Sequence, residues 1–322
     1  MTISSNPPDT SHSNLRVPII DVSRGFALIA MAVYHFTWDL GFFGWIAPDT
    51  ALRGGWLVFA RSIATSFLFL VGVSLTLAHH QSIAWHSFWK RFVQVSAAAA
   101  AISLVTYFAV PGGFIFFGIL HGIALFSLLG LFYVQRKWWI SLLTAAFIFA
   151  IWLSFSNDLF SNPALWWVGL APVAPPSNDY VPLFPWFGVV LIGIGTTQFL
   201  LNSPAWERIR HLSLPTTVQN PLTFIGRRAL IFYLLHQPIL IGMLFVFTTF
   251  IMQPDRRPQF LSQCQQACTL DRSDSYCATF CNCMLEEMTK AELFSGFLNQ
   301  TLTQEQNSGL RASRDICIAQ QD

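Results

Sequence analysis

Residues 21 to 39 read Asp-Val-Ser-Arg-Gly-Phe-Ala-Leu-Ile-Ala-Met-Ala-Val-Tyr-His-Phe-Thr-Trp-Asp, a run apolar enough to enter a lipid bilayer that still carries Asp21, Arg24, His35 and Asp39. An ionisable group at membrane depth costs roughly 3 kcal/mol on insertion scales, so it usually faces a polar interior and has a function. His35 and Asp39 are spaced i, i+4 and share a helix face. A carboxylate there can fix the imidazole tautomer and raise its basicity, which is the build of a general base. The competing reading is a buried polar pair that only joins two helices.

The rest of the chain agrees with a membrane setting. It is 53% hydrophobic and 11% charged, against about 25% charged in soluble domains. The fold class expected is all-α: a polytopic transmembrane helix bundle of about seven spans with a small disulfide-stapled helical C-terminal tail. The spans fall near 17–46, 56–79, 89–110, 114–134, 138–156, 183–202 and 223–252. Residues 1–15 are polar and read as a disordered cytoplasmic N-terminus without a cleavable signal. Residues 16–254 form the membrane domain and 255–322 the tail. Up to residue 254 there are 12 Lys+Arg and 7 Asp+Glu; beyond it there are 6 and 9, with all six cysteines. An N-terminus in the cytoplasm puts ten of the twelve membrane-domain cations inside, leaving only Arg53 and Arg61 outside, as the positive-inside rule favours. Seven spans then place the tail outside the cytoplasm.

In the tail, Cys264 and Cys268, then Cys277 and Cys281, are each spaced i, i+4. The segment 270–275 supplies turn and cap residues. Two short antiparallel helices would set Cys264 against Cys281 and Cys268 against Cys277, with Cys283 and Cys317 as a third bridge. An oxidising compartment permits that chemistry, and a small module with little core needs it. A zinc site is the rival, but zinc sites prefer shorter spacings and often histidine, which the tail lacks. Thr289 and Glu292 have the spacing of a capping box that would open a further helix.

Other polar groups recur near span ends. Arg24-Gly25 lies near the inner end of the first span; Arg24 can pair with Asp21 at i, i+3 or reach a phosphate. His121 sits between Gly118 and Gly122, a spacing of small residues that also suits plain helix packing. His236 and Gln237 precede Pro238, whose ring frees a backbone carbonyl. Lys90-Arg91 and Arg227-Arg228 anchor topology and, with Arg24, form a basic inner mouth suited to a phosphorylated ligand. No P-loop, dinucleotide fingerprint, zinc-protease motif or nucleic-acid pattern is present.

The stretch from Arg16 to Met31 resembles the heparan-alpha-glucosaminide N-acetyltransferase catalytic-domain family, in its bacterial branch. Further resemblances lie at Phe67-Leu-Phe-Leu-Val-Gly72, Phe88-Trp-Lys-Arg91, Phe117-Gly118-Ile-Leu-His121 and Tyr233-Leu-Leu-His236-Gln-Pro238, in the family's order over about 16–250. The Arg-Gly…His pattern of the first span is also similar to membrane O-acyltransferases, in which the His is the base. The resemblance implies transfer of an acetyl or other acyl group from cytosolic acetyl-CoA, as co-substrate and without a metal, to an extracytoplasmic amine or hydroxyl, such as a glycan. His35, oriented by Asp39, would be the base. His121 and His236 would orient acyl carbonyl or acceptor, and Arg24, Lys90, Arg91, Arg227 and Arg228 would hold CoA phosphates. The expected partners are the lipid bilayer, acyl-CoA and the acceptor, with no nucleic acid and with homo-oligomers allowed; the expected location is a bacterial plasma membrane. The alternatives are a transporter using the same groups for protons or solute, a haem-binding bundle using His121 and His236, and a scaffold that presents the cysteine module.

Overall fold

A computed structural model describes residues 17–252 and 254–320. The expected disordered segment 1–15 lies outside the described residues. Apolar helices form at all seven expected places: α1 (Pro18–Phe42), α2 (Gly54–His79), α3 (Trp85–Ala109), α4 (Ile119–Gly130), α5 (Trp138–Ser154), α6 (Leu183–Leu201) and α9 (Ala229–Val246). The last continues as a π-helical turn, Phe247–Ile251. Five of them, α1, α2, α3, α6 and the extended α9, are long and apolar enough to cross a membrane. The other two are shorter than expected: at about 1.5 Å per residue, α4 spans about 18 Å and α5 about 26 Å, against about 30 Å of hydrocarbon. The reason for the short α4 is local. Pro111, Gly112 and Gly113 break the run, and the chain stays irregular until Gly118. Two amphipathic helices, α7 (Ala205–Arg210) and α8 (Thr216–Arg227), fill the stretch between α6 and α9.

The chain divides into two compact units. The first holds residues up to Ala32 together with Val58–His236; the second holds Val33–Leu57 and everything from Gln237 onward. In the first, α6 is the most enclosed of the spanning helices. Its Phe187, Val190, Leu191 and Ile194 pack with Leu68, Val71 and Leu75 of α2 and Phe126 of α4. Phe108, Leu143, Phe147 and Leu153 are instead exposed, the pattern of helices whose outer faces meet lipid rather than water.

In the second unit the indole of Trp45 donates to the Thr248 hydroxyl at 3.1 Å. The tail forms α10 (Arg257–Cys268), α11 (Asp274–Lys290), α12 (Phe294–Asn299) and α13 (Gln304–Ala319). The three disulfides are those expected: Cys264–Cys281, Cys268–Cys277 and Cys283–Cys317, with Cα separations of 5.9, 5.6 and 5.7 Å. Ser273 caps α11 by accepting from the Tyr276 amide. Met284, Met288, Leu293 and Cys317 form the small core. The expected capping box at Thr289 and Glu292 is not formed. The Thr289 hydroxyl donates back to the Leu285 carbonyl inside α11, and Glu292 adopts a left-handed φ of 55° just beyond that helix. The box sits instead at Thr303 and Gln306, opening α13.

A helical module this small depends on its bridges. Replacing Cys283 and Cys317 by Ser, which opens a separation of 34 residues, should destabilise the tail by about 4 kcal/mol on loop-entropy grounds. Proteolysis of the tail across a urea series reads this as an earlier transition; an unshifted transition would show that the bridge stabilises nothing.

Candidate functional site

In the first unit α1, α2 and α8 are joined around one carboxylate. Asp21 is buried and accepts from Arg24 Nη1 at 2.8 Å and from Arg227 Nε at 3.4 Å. Arg24 also donates through Nη2 to the Ser74 hydroxyl on α2 at 2.9 Å and through Nη1 to the Gly226 carbonyl at 3.5 Å. The approach requires glycine on both helices. A Cβ on Gly25 would collide with the Leu222 backbone, and one on Gly226 with that of Asp21. Backbone contact of α1 with α8 thus delivers both arginines to one place.

Arg24, Arg91 and Arg227 line a cavity of ≈ 330 Å³ whose other walls include Leu28, Leu70, Leu120, Ile123 and Tyr233. Arg91, Val71, Val95 and Ile123 also line a second cavity of ≈ 820 Å³, walled by the α2–α3 turn with His79, His80, Gln81 and Ser87. Arg91 therefore stands where the two spaces meet. It is exposed, and no carboxylate pairs with it among the described residues. Three guanidinium groups line the smaller space and Asp21 pairs with only two of them, so positive charge there is in excess. In the larger space His79 Nδ1 accepts from the Ala84 amide at 3.2 Å, which closes the turn. His80 Nδ1 is buried with no hydrogen-bond partner among the described residues. Of the other expected cations, Lys90 is exposed beside Arg91, and Arg228 stacks over the Phe224 ring at 3.9 Å.

Two of the expected histidines, His121 and His236, are each tied to nearby backbone. His121 caps its own helix: Nδ1 accepts from the Gly118 amide at 3.2 Å. Its proton is then on Nε2, which faces the Ser103 hydroxyl at 3.2 Å, while that hydroxyl donates to the Ile115 carbonyl. His236 Nδ1 lies 2.7 Å from the Tyr233 carbonyl, and its ring stacks on Phe232. A carbonyl only accepts, so Nδ1 carries the proton there and Nε2 is the basic nitrogen of the neutral ring. His35 and Asp39 belong to the second unit with Gln237. Asp39 is fully buried, and its Oδ1 accepts from Gln237 Nε2 at 2.7 Å. Asp39 Oδ2 and Gln237 Oε1 are buried with no hydrogen-bond partner among the described residues.

Asp179 is a polar group whose role the sequence did not announce. Ladder bonds between 113–117 and 178–181 lace its loop to the entry of α4: the Asn178 amide donates to the Gly113 carbonyl and the Val181 amide to the Phe117 carbonyl. Asp179 Oδ2 then accepts from the Ile119 amide at 2.7 Å, a carboxylate at a helix N-terminus. Gly118 has no Cβ where that carboxylate sits. The Tyr233 hydroxyl is Asp179's side-chain partner; burial outweighs both hydrogen bonds and raises the carboxyl to about 6. No local pattern marks an acid that caps a helix some sixty residues earlier. No motif marks Ser74 either.

A helical membrane protein with a cluster of arginines where two cavities meet is the class these features define. The chain belongs to the family described as heparan-alpha-glucosaminide N-acetyltransferase, catalytic, whose model matches residues 16–238, over two thirds of the chain. Membership points to a membrane acetyltransferase. No curated protein and no solved structure gives a significant match. Among the described residues no group of three or more His, Cys, Asp or Glu could hold a metal.

Replacing Asp21 by Asn leaves Arg24 and Arg227 facing each other without a counter-charge. The expected loss is about 2 kcal/mol, read as a lower Tm of the detergent-purified protein. An unchanged Tm would mean that the arginines are held by their other contacts.

Proposed function

We propose that this protein transfers an acyl group from cytosolic acyl-CoA to an amine or hydroxyl on the far side of the membrane, such as that of a glycan. The observation that carries the reading is Arg91 at the joint of two spaces, one polar and large, one smaller and largely apolar. CoA has two parts of matching character. Its phosphate-bearing nucleotide suits the ≈ 820 Å³ space with His79, His80 and Arg91. Its thin pantetheine arm with the thioester suits the ≈ 330 Å³ space toward Tyr233. Arg91 binds phosphate directly, Arg24 and Arg227 add positive potential from their pairing with Asp21, and Lys90 and Arg228 raise it at the mouth.

Two features support an N-terminus in the cytoplasm and a tail outside. The basic loops cluster on one side of the spans, and the tail's three disulfides suit an oxidising compartment. The resemblance to bacterial members supports a bacterial plasma membrane as its location.

The reaction also needs a base. His35, one turn from Asp39, takes that role in the sequence reading, with His236 orienting acyl group or acceptor and His121 holding the α4 entry in shape. A second set of groups is argued below.

Acetyl-CoA binding to the purified protein tests the donor assignment. Saturable binding should weaken about tenfold to a hundredfold in Arg91→Ala, the loss of one charge-assisted phosphate contact of about 1.5–3 kcal/mol. No binding at millimolar acetyl-CoA would refute the reading.

A further inference from the structure

Tyr233 has a place in the first unit that the donor assignment leaves unused. Its ring lines the ≈ 330 Å³ space with Arg24 and Arg91, and its hydroxyl is hydrogen-bonded to the Asp179 carboxylate. Asp179 comes from the loop before α6, is half-buried and is fixed by the Ile119 amide. One tyrosine thus borders the donor space and is also the side-chain partner of Asp179. The structure points to a proton path: we propose that Tyr233 is the catalytic residue that takes the acceptor's proton, and that Asp179 is the positioning residue that receives Tyr233's own. This rests on the acyl-CoA reading and adds the destination of the proton.

The arginines lining the same space cannot serve, because guanidinium does not deprotonate in proteins. His121, the nearest histidine to the α4 entry in sequence, has Nδ1 occupied by the Gly118 amide. Asp179 faces the Ile119 amide and the Tyr233 hydroxyl, and no cation pairs with it among the described residues. Its carboxyl near 6 leaves it mostly ionised at neutral pH, which suits a base. In the step, the acceptor's nitrogen or oxygen attacks the thioester carbon. The new N–C or O–C bond forms, the C–S bond breaks, and its electron pair leaves on sulfur as CoA thiolate. The acceptor's proton passes to the Tyr233 oxygen while the Tyr233 proton passes to Asp179. The proton then returns along the same two groups to the thiolate, giving CoA-SH.

Acetyl-CoA binding and CoA release with glucosamine as probe acceptor are measured on the full-length protein in detergent. Asp179→Asn and Tyr233→Phe should each lower kcat about a hundredfold or more, with acetyl-CoA affinity changed less than threefold. In the wild type, kcat should fall as pH drops through about 6, because protonated Asp179 cannot accept. Asp179→Glu should restore part of kcat with a displaced acid limb. If Asp179→Asn keeps kcat within twofold, or loses kcat and acetyl-CoA affinity in proportion, the proton path is wrong and Asp179 only shapes the α4 entry. A wild type that binds acetyl-CoA and turns over confirms the broader reading whatever Asp179 does. A wild type that does neither overturns both.

Discussion

The Asp21 carboxylate is the point on which the joining of α1, α2 and α8 depends. It receives Arg24 from its own helix and Arg227 from α8. The acid offsets part of the cost of bringing two guanidinium groups together. Arg24 then has donors left for Ser74 and the Gly226 carbonyl. One acid thereby ties three helices together and leaves excess positive charge facing a cavity. Removing an arginine from such a cluster and removing the acid are different events: the first leaves the acid with its other arginine, the second sets like charges side by side.

The helix positions were legible because apolar runs of the right length leave little else for a chain to do in lipid. The three bridges were legible too: i, i+4 cysteines on antiparallel helices have one sensible register for two of them, and Cys283 and Cys317 remain for the third. What the pattern missed depends on competition between local options. Thr289 has the spacing of a cap, but its hydroxyl finds the Leu285 carbonyl within a helix that had not ended. The fourth apolar run reads as a span until its first residues are seen to be irregular backbone, with Phe117 in a strand-like bridge to Tyr180.

The site shows the same division. Arg24, Arg91 and Arg227 could be suspected as a basic mouth, and they do line one cavity. Their shared counter-ion Asp21 was suspected only for Arg24. The histidines were conspicuous in sequence because they are rare, yet His121 has its ring committed to the Gly118 amide and faces the Ser103 hydroxyl. The partner of Asp39 on its own unit is an amide from α9, Gln237, nearly two hundred residues away. Pairings of that range carry no periodic signal, so only the folded chain displays them.

The absence of a Cβ at Gly118 has an evolutionary consequence. The Asp179 carboxylate fills the volume that any other side chain at 118 would need. A lineage cannot enlarge position 118 while keeping an acid at 179, and an acid at 179 is of no use to the α4 entry unless position 118 stays bare. The two sites, sixty-one positions apart in the chain, can only drift as one unit of inheritance.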